Sequence, residues 1–446
     1  MKLTLTIISM IFLFHLQSIA QGFSDRSSYY SYGTKMYAES FYQPIADNDS
    51  IEVTLMFKIV HHTLGFIKSN SNDKENHFFA TPSLEIIIKD SDGIIRNRIR
   101  WKDTIHVNNY DDTESKDKFA IGYVQFNMMP GSYNSSISLL DSYDKKTHSI
   151  DLKLNPEDFS RKPLISNPVF VTKNAGISDY IYYPFILGGN VAFSAENSTI
   201  LLPLSYSTDF DSFNFILQSK ANSEMLYNVD DFKLSGRMEL IQSDGLVMNE
   251  EPLFIKIADF TDKLFDLNYG MLRLELPEQS LLPGDYTLAV YKDGSRDTSL
   301  IEFKVLWHDM PLSLRDLDYA INSTFYLLSD EAFELMNSGN KEEKRKKFLE
   351  FWKSKDPTPL TPYNEALTQY FSRVDYAFFN FQTLTQRDGS KTDKGKIYIL
   401  FGLPDNMKKE LINAQSFDVW RYSSLGKTFY FESQTKGIFK LTKIVE

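Results

Sequence analysis

Short runs of alternating apolar and polar residues, separated by tight turns, dominate the first two thirds of the chain. "SIEVTLMFKIV" (50–60) alternates in part, and "SLEIIIKDSDGIIRNRIRW" (83–101) places Asp92-Gly93 between two strand-like runs. An Asp-Gly pair so flanked is a short-range hairpin signal, because glycine accepts the positive φ that the favoured two-residue turns require. Polar loops interrupt the pattern at 70–77 and 108–118. The spacing predicts an antiparallel β-sandwich of immunoglobulin-like size over 21–155. "NPEDFSRKPLISNP" then carries Pro156, Pro163 and Pro168, which predicts an extended linker over 156–168.

A second strand-rich region, 169–308, echoes the first. "MMPGSYNSSISLLD" (128–141) and "LLPGDYTLAVYKDG" (281–294) share two apolar residues, Pro-Gly, a polar residue, Tyr and an alternating run. This reads as one hairpin device used twice, with Pro130 and Pro283 fixing φ and Gly131 and Gly284 taking positive φ. A second sandwich is expected.

After Trp307 the period changes to that of helices. "PLSLRDLDYAINSTFYLL", "SDEAFELMN" and "NKEEKRKKFLEFW" show helical spacing, with Ser329-Asp330 suited to capping the second. In "YNEALTQYFSRVDYAFFNFQ", Leu367, Tyr370, Phe371, Val374, Ala377, Phe378 and Phe381 fall on one face, a broad aromatic stripe that predicts a core-facing helix. The end of the chain reads as strands: 396–401, "SFDVWRYS", "KTFYFES" and "IFKLTKI". The expected fold class is β-rich α+β, with two sandwiches followed by a helical plus antiparallel-sheet domain over 309–446.

Composition sharpens this picture. The 446 residues include 35 Phe and 25 Tyr, a bias typical of half-buried strands. A net charge of -11 lacks the clustered Lys and Arg that nucleic-acid binding requires, so no nucleic-acid partner is expected. The first twenty residues join Lys2 to an apolar stretch and end in Ser18-Ile19-Ala20, which reads as a secretory leader cut after Ala20. No later segment is long and apolar enough to span a bilayer. With no cysteine, the chain has neither disulfides nor a thiol for lipidation.

Candidate chemistry is sparse. The histidines are His15, His61, His62, His77, His106, His148 and His308, so the region after His308 has no His and no Cys for nucleophilic triads or a zinc site of the usual kind. His61 and His62 are adjacent and would point to opposite faces of a strand. "LGKT" (425–428) has Arg421 where a phosphate loop needs glycine, and it reads as a turn leading into a strand. No catalytic residue, metal or cofactor is assigned.

"FWKSKDPTPLTPYNEALTQYFSRVDYAFFNF" followed by "GSKTDKGKIYILFGLPD" resembles the GWxTD domain, named for a Gly-Trp-x-Thr-Asp motif and found in exported proteins of Bacteroidota and related bacteria. The residues singled out are Trp352, Arg373, Gly389, Ser390, Thr392, Asp393, Gly395, Tyr398, Gly402, Pro404 and Asp405, with Ser390 where the motif has Trp. The family has no established activity. The resemblance implies an exported, periplasmic protein.

Physically, the motif reads as a joint between the long helix and the sheet. Thr392 and Asp393 can accept backbone N–H groups, Gly395 can supply a permissive φ, and Arg373 can pair with Asp393. The function expected is a non-enzymatic interaction or assembly module of the cell envelope, with envelope or periplasmic proteins as partners and no membrane span after leader cleavage. The alternative is an envelope-polysaccharide-binding or carboxylate-dependent glycan-processing protein. Extracellular secretion is a further alternative to the periplasm.

Overall fold

The computed structural model describes residues 36–45, 49–69, 77–115, 117–140, 148–160, 164–173, 178–206, 212–220, 226, 232–250, 252–260, 268–277 and 280–446. The leader predicted over 1–20, residues 70–76 of the first polar loop and residues 161–163 of the predicted linker lie outside them.

The first lobe pairs two main antiparallel sheets, beside a small third one of Ile67–Lys68, Phe78–Ala80 and Ile105–Val107. One main sheet has the spatial order Met36–Pro44, Ile51–Val60, Phe119–Met128, and the other His148–Leu154, Tyr133–Leu139, Ser83–Asp90, Ile95–Lys102. The predicted hairpin is present: Ser83–Asp90 pairs with Ile95–Lys102 around Gly93, which has φ of 81°. Phe41, Val53, Leu55 and Phe57 meet Leu84, Ile86, Ile88 and Ile137 in one buried cluster.

The second lobe contains a larger sheet, in the order Glu239–Gln242, Asn268–Glu275, Ser198–Tyr206, Val169–Lys173, Ile181–Pro184, Leu253–Ile257, Leu246–Glu250. A five-stranded sheet built around Phe213–Lys220, Gly284–Lys292 and Thr298–Leu306 accompanies it. Side chains of the larger sheet join two different cores. Phe170, Ile200, Leu202, Leu204 and Leu272 pack with the five-stranded sheet, while Val169, Val171, Leu201, Tyr269 and Met271 belong to the core of the first lobe. Burial on both faces explains why Ser198–Tyr206 is buried at every position and why its centre, 200–204, is continuously apolar instead of alternating.

Two sequence readings need correction here. The predicted linker is docked: Phe159 is buried against Tyr269, and Leu164–Ile165 pairs with Ser205 and Leu204. Hydrophobic burial there outweighs the extended bias of the prolines. The repeated Pro-Gly-x-Tyr device is not a hairpin, because in each lobe it connects strands of different sheets, and Gly131 and Gly284 lack positive φ. The repetition is nevertheless physical. The Tyr133 hydroxyl donates to the Met129 carbonyl at 3.1 Å, and the Tyr286 hydroxyl donates to the Leu282 carbonyl at 2.8 Å. Each is a tyrosine corner that fixes the chain as it crosses between sheets.

The C-terminal lobe holds α1 (Leu317–Ser323), α2 (Asp330–Met336), α3 (Lys341–Lys353), α4 (Glu365–Asn380) and α5 (Asp393–Phe401). A four-stranded meander follows: Asn406–Ile412, Gln415–Tyr422, Lys427–Ser433, Phe439–Val445. The stripe on α4 is core: Leu367, Phe371, Val374 and Ala377 are buried with Trp352, Phe348 and Trp307 in the same cluster as the second lobe. Ser329 caps α2 by accepting from the Ala332 N–H, as predicted.

Candidate functional site

The motif segment follows the end of α4. A 3₁₀ turn, Gly389–Lys391, leads directly into α5. The strand predicted over 396–401 is therefore part of a helix. Thr392 is its N-cap, accepting from the Gly395 N–H at 3.1 Å and donating to the Gly389 carbonyl at 2.8 Å. In the five-residue apolar run 397–401 the two buried residues, Ile397 and Ile399, alternate with partly exposed ones, so period alone reads it as a strand, and the cap decides it. The strand Asn406–Ile412, whose residues are mostly exposed, was not expected from the sequence.

Close approach explains the glycines at 389 and 395. A Cβ on Gly389 would stand 2.2 Å from the Ala377 carbonyl oxygen, and one on Gly395 would stand 2.0 Å from the Gly389 carbonyl oxygen. Three segments of backbone are thus stacked where no side chain fits. The freedom of φ expected at Gly395 is not used, since its φ is not positive. It is used instead at Gly402, which ends α5 with φ of 79°.

Ser390 is buried in a knot of polar groups. Its N–H and Oγ donate to Asp388 Oδ1, at 3.1 and 2.5 Å. The Tyr319 hydroxyl on α1 lies 3.2 Å from both Asp388 Oδ1 and Ser390 Oγ. The Tyr326 hydroxyl donates to the Ser390 carbonyl at 3.0 Å. Two tyrosine rings therefore flank the position where the motif has an indole. Burial above all, reinforced by the Asp388 charge, raises the Tyr319 pKa, so its phenol stays a neutral donor. A carboxylate beside a serine hydroxyl has the parts of a nucleophilic pair, yet Ser390 is only 4% exposed. No substrate atom can approach it in this conformation, and its bonds are those of a capped turn.

The other side of the joint ties α5 to the sheet. Asp393 Oδ2 accepts from the Leu441 N–H at 2.7 Å. Lys394 pairs with Asp418 and lies over the Phe439 ring, 3.2 Å from its centroid. Burial depresses the Lys394 pKa, and the Asp418 contact opposes that shift. The Gly402 carbonyl accepts from the Tyr422 hydroxyl at 2.8 Å, and Asp405 accepts from the Ser423 N–H. Pro404 is buried between these contacts.

The structure thus brings Gly389, Ser390, Thr392, Asp393, Gly395, Gly402, Pro404 and Asp405 into one helix-to-sheet joint. Tyr398 stacks on Tyr376 at 4.4 Å beside it. Trp352 lies apart, packed on Tyr370 and Phe371. Arg373 does not pair with Asp393: its guanidinium donates to the Leu400 carbonyl at 3.5 Å and lies against Gly402. The carboxylate is held at the opposite end of α5, where the strand Phe439–Val445 supplies its N–H partner. Sequence reading missed Tyr319, Tyr326, Lys394 and Asp418. No local signal marks the tyrosines, which reach the motif from 71 and 64 residues away.

Residues 287–442 match the family model of the GWxTD domain; the β-rich chain therefore ends in a GWxTD domain. No curated protein matches the chain. Among solved structures, the crystal structure of red sea bream transglutaminase is similar at 9% identity and a TM-score of 0.18, covering 61% of this chain and 31% of that one. The chain spans about a third of that transglutaminase's length.

Proposed function

We propose that the chain is a non-enzymatic, exported cell-envelope protein that works in the periplasm as an interaction or assembly module for other envelope proteins. One observation carries this reading: the polar side chains of the motif bond to other parts of the same chain. Ser390 and Thr392 hold the turn, and Asp393 and Asp405 hold the sheet. The motif so read sets the pose of a domain, and the surfaces of the lobes meet partners. The leader expected over 1–20 supports the location.

The glycan-processing alternative needs two carboxylates facing each other across a cleft. Two open clefts lie on the β-lobes. One, of about 550 Å³, has Glu239 among its lining residues, and the other, of about 500 Å³, has Asp90. Each of these carboxylates already holds an arginine, Arg273 and Arg96 respectively. Among the described residues that line each cleft no second acid stands.

Cross-linking with mass spectrometry on intact cells, combined with osmotic-shock fractionation, tests the proposal. Recovery of defined envelope proteins joined to this chain in the periplasmic fraction is the expected result. Recovery of glycan fragments alone, or of the chain in the medium alone, would overturn it.

A further inference from the structure

We propose that the edge strand Ile95–Lys102 is a docking edge for an extended acidic segment of a partner protein, which adds to the sheet as a further antiparallel strand. This rests on reading the chain as an interaction module and names the chemistry of one partner.

Ile95–Lys102 is last in the order of its sheet and pairs only with Ser83–Asp90 among the described residues. Alternate backbone N–H and C=O groups on its far side therefore have no strand to meet, which is the geometry that strand addition uses. Its side chains are strongly patterned. Arg98, Arg100 and Lys102 occupy every second position beyond a β-bulge at Arg96, all four cations are exposed, and no acid stands anywhere in 94–102 of a chain whose net charge is -11. Arg96 pairs with Asp90, and Arg98 reaches Glu85 only at 3.9 Å. Arg100 and Lys102 have no acidic partner among the described residues.

The intervening set fixes which way the cations face. Asn97, Ile99 and Trp101 point into the lobe, where the Trp101 ring packs edge-on to Phe57 at 4.8 Å. The strand cannot roll over to hide its arginines without withdrawing that indole from the core.

Spacing selects the occupant. Same-face residues of a strand repeat about every 6.6–6.8 Å, so a neighbouring strand with acids at alternate positions presents carboxylates at the period of Arg98, Arg100 and Lys102. A second copy of this strand would set cation against cation, an arrangement that disfavours self-pairing. The charges that guard this edge against its own kind are complementary to an acidic strand. A flexible polyanion would use the charge but has no need of the free backbone.

The test uses the purified full-length protein and a fluorescein-labelled peptide of alternating Glu and Thr, read by anisotropy at low ionic strength. The alternating peptide is expected to bind. The same peptide N-methylated on alternate backbone amides, in each of the two registers, is expected to bind about tenfold more weakly in one register, because the bonds to the sheet edge are lost. The double variant Arg98→Glu with Arg100→Glu is expected to lose the Glu peptide and gain an alternating Lys–Thr peptide, with its far-UV circular dichroism unchanged. Because the chain carries a net charge of -11, the gain is read against the unsubstituted protein with the same Lys–Thr peptide, and the unchanged circular dichroism excludes misfolding as its cause. Equal binding of both N-methylated peptides, or of a peptide with the same acids in one block, would overturn strand addition in favour of a diffuse polyanion patch. Absence of any binding to the Glu peptide would overturn the proposal. Either failure leaves the cellular cross-linking result standing, so the two readings are separable.

Discussion

Tyr319 reaches across 69 residues of sequence to place its hydroxyl 3.2 Å from the carboxylate of Asp388. This one contact ties the first helix of the C-terminal lobe to the turn that launches its last. Tyr319→Phe removes a hydrogen bond to a charged, partly buried acceptor while keeping the ring against Phe378. The variant is expected to unfold at lower temperature, by about 1–2 kcal/mol of stability, as followed by thermal circular dichroism.

Restoring the motif's aromatic should be harmful in this chain. Ser390 is buried beneath Tyr319 and Tyr326, so Ser390→Trp forces a large ring into filled space. A loss of about 1–3 kcal/mol is expected from overpacking. Adding Tyr326→Ala to Ser390→Trp should recover part of that loss, since it empties the neighbouring volume. Urea denaturation of the single and double variants measures the difference, and additive losses would show that the ring does not occupy that place.

A buried carboxylate, Glu39, and a half-buried lysine, Lys58, both join the first lobe to the second. Glu39 accepts from the Leu187 and Gly189 N–H groups, and Lys58 donates to the Phe185 carbonyl. Burial lifts the Glu39 pKa from 4.5 to about 7 and lowers that of Lys58 from 10.5 to about 8. Between 4.5 and about 7 the folded protein keeps a proton that the unfolded chain has lost, so stability falls as pH rises. Between about 8 and 10.5 the unfolded chain keeps a proton that the folded protein has released, so stability rises with pH. The contribution of the pair is therefore least favourable between about 7 and 8. Denaturant midpoints across this range should show the dip, and Glu39→Gln should abolish its acid-side slope.

The two tyrosine corners give an internal comparison. Tyr133→Phe and Tyr286→Phe each remove one hydroxyl-to-carbonyl bond, worth about 0.5–1.5 kcal/mol. The loss should be larger for Tyr286, which is fully buried, than for the partly exposed Tyr133. The sites lie in different lobes, and their effects should add in the double variant. Equal losses would contradict the role assigned to burial.

Features set by neighbours in sequence were legible. The α4 stripe, the Ser329 cap, the hairpin at Asp92-Gly93 and the turn at Gly426, with φ of 63°, follow from period and turn chemistry. Features set by distant contacts were not. The α5 run looks strand-like because its buried residues, Gly395, Ile397 and Ile399, alternate along the sequence. Asn406–Ile412 carries too few buried residues to alternate clearly. The motif was recognisable as a joint, but its partners were not. Asp393 looked available to Arg373 because both lie in the motif's neighbourhood, whereas tertiary packing gives it the Leu441 N–H instead.

Thermal unfolding of Asp393→Ala is the most direct test of the joint. The bond from Asp393 to Leu441 holds α5 to the sheet, and its removal is expected to lower stability by about 1.5–3 kcal/mol. The folded fraction should keep its cellular cross-links. An unchanged melting temperature accompanied by loss of those cross-links would contradict the structural role and make Asp393 a partner-binding residue.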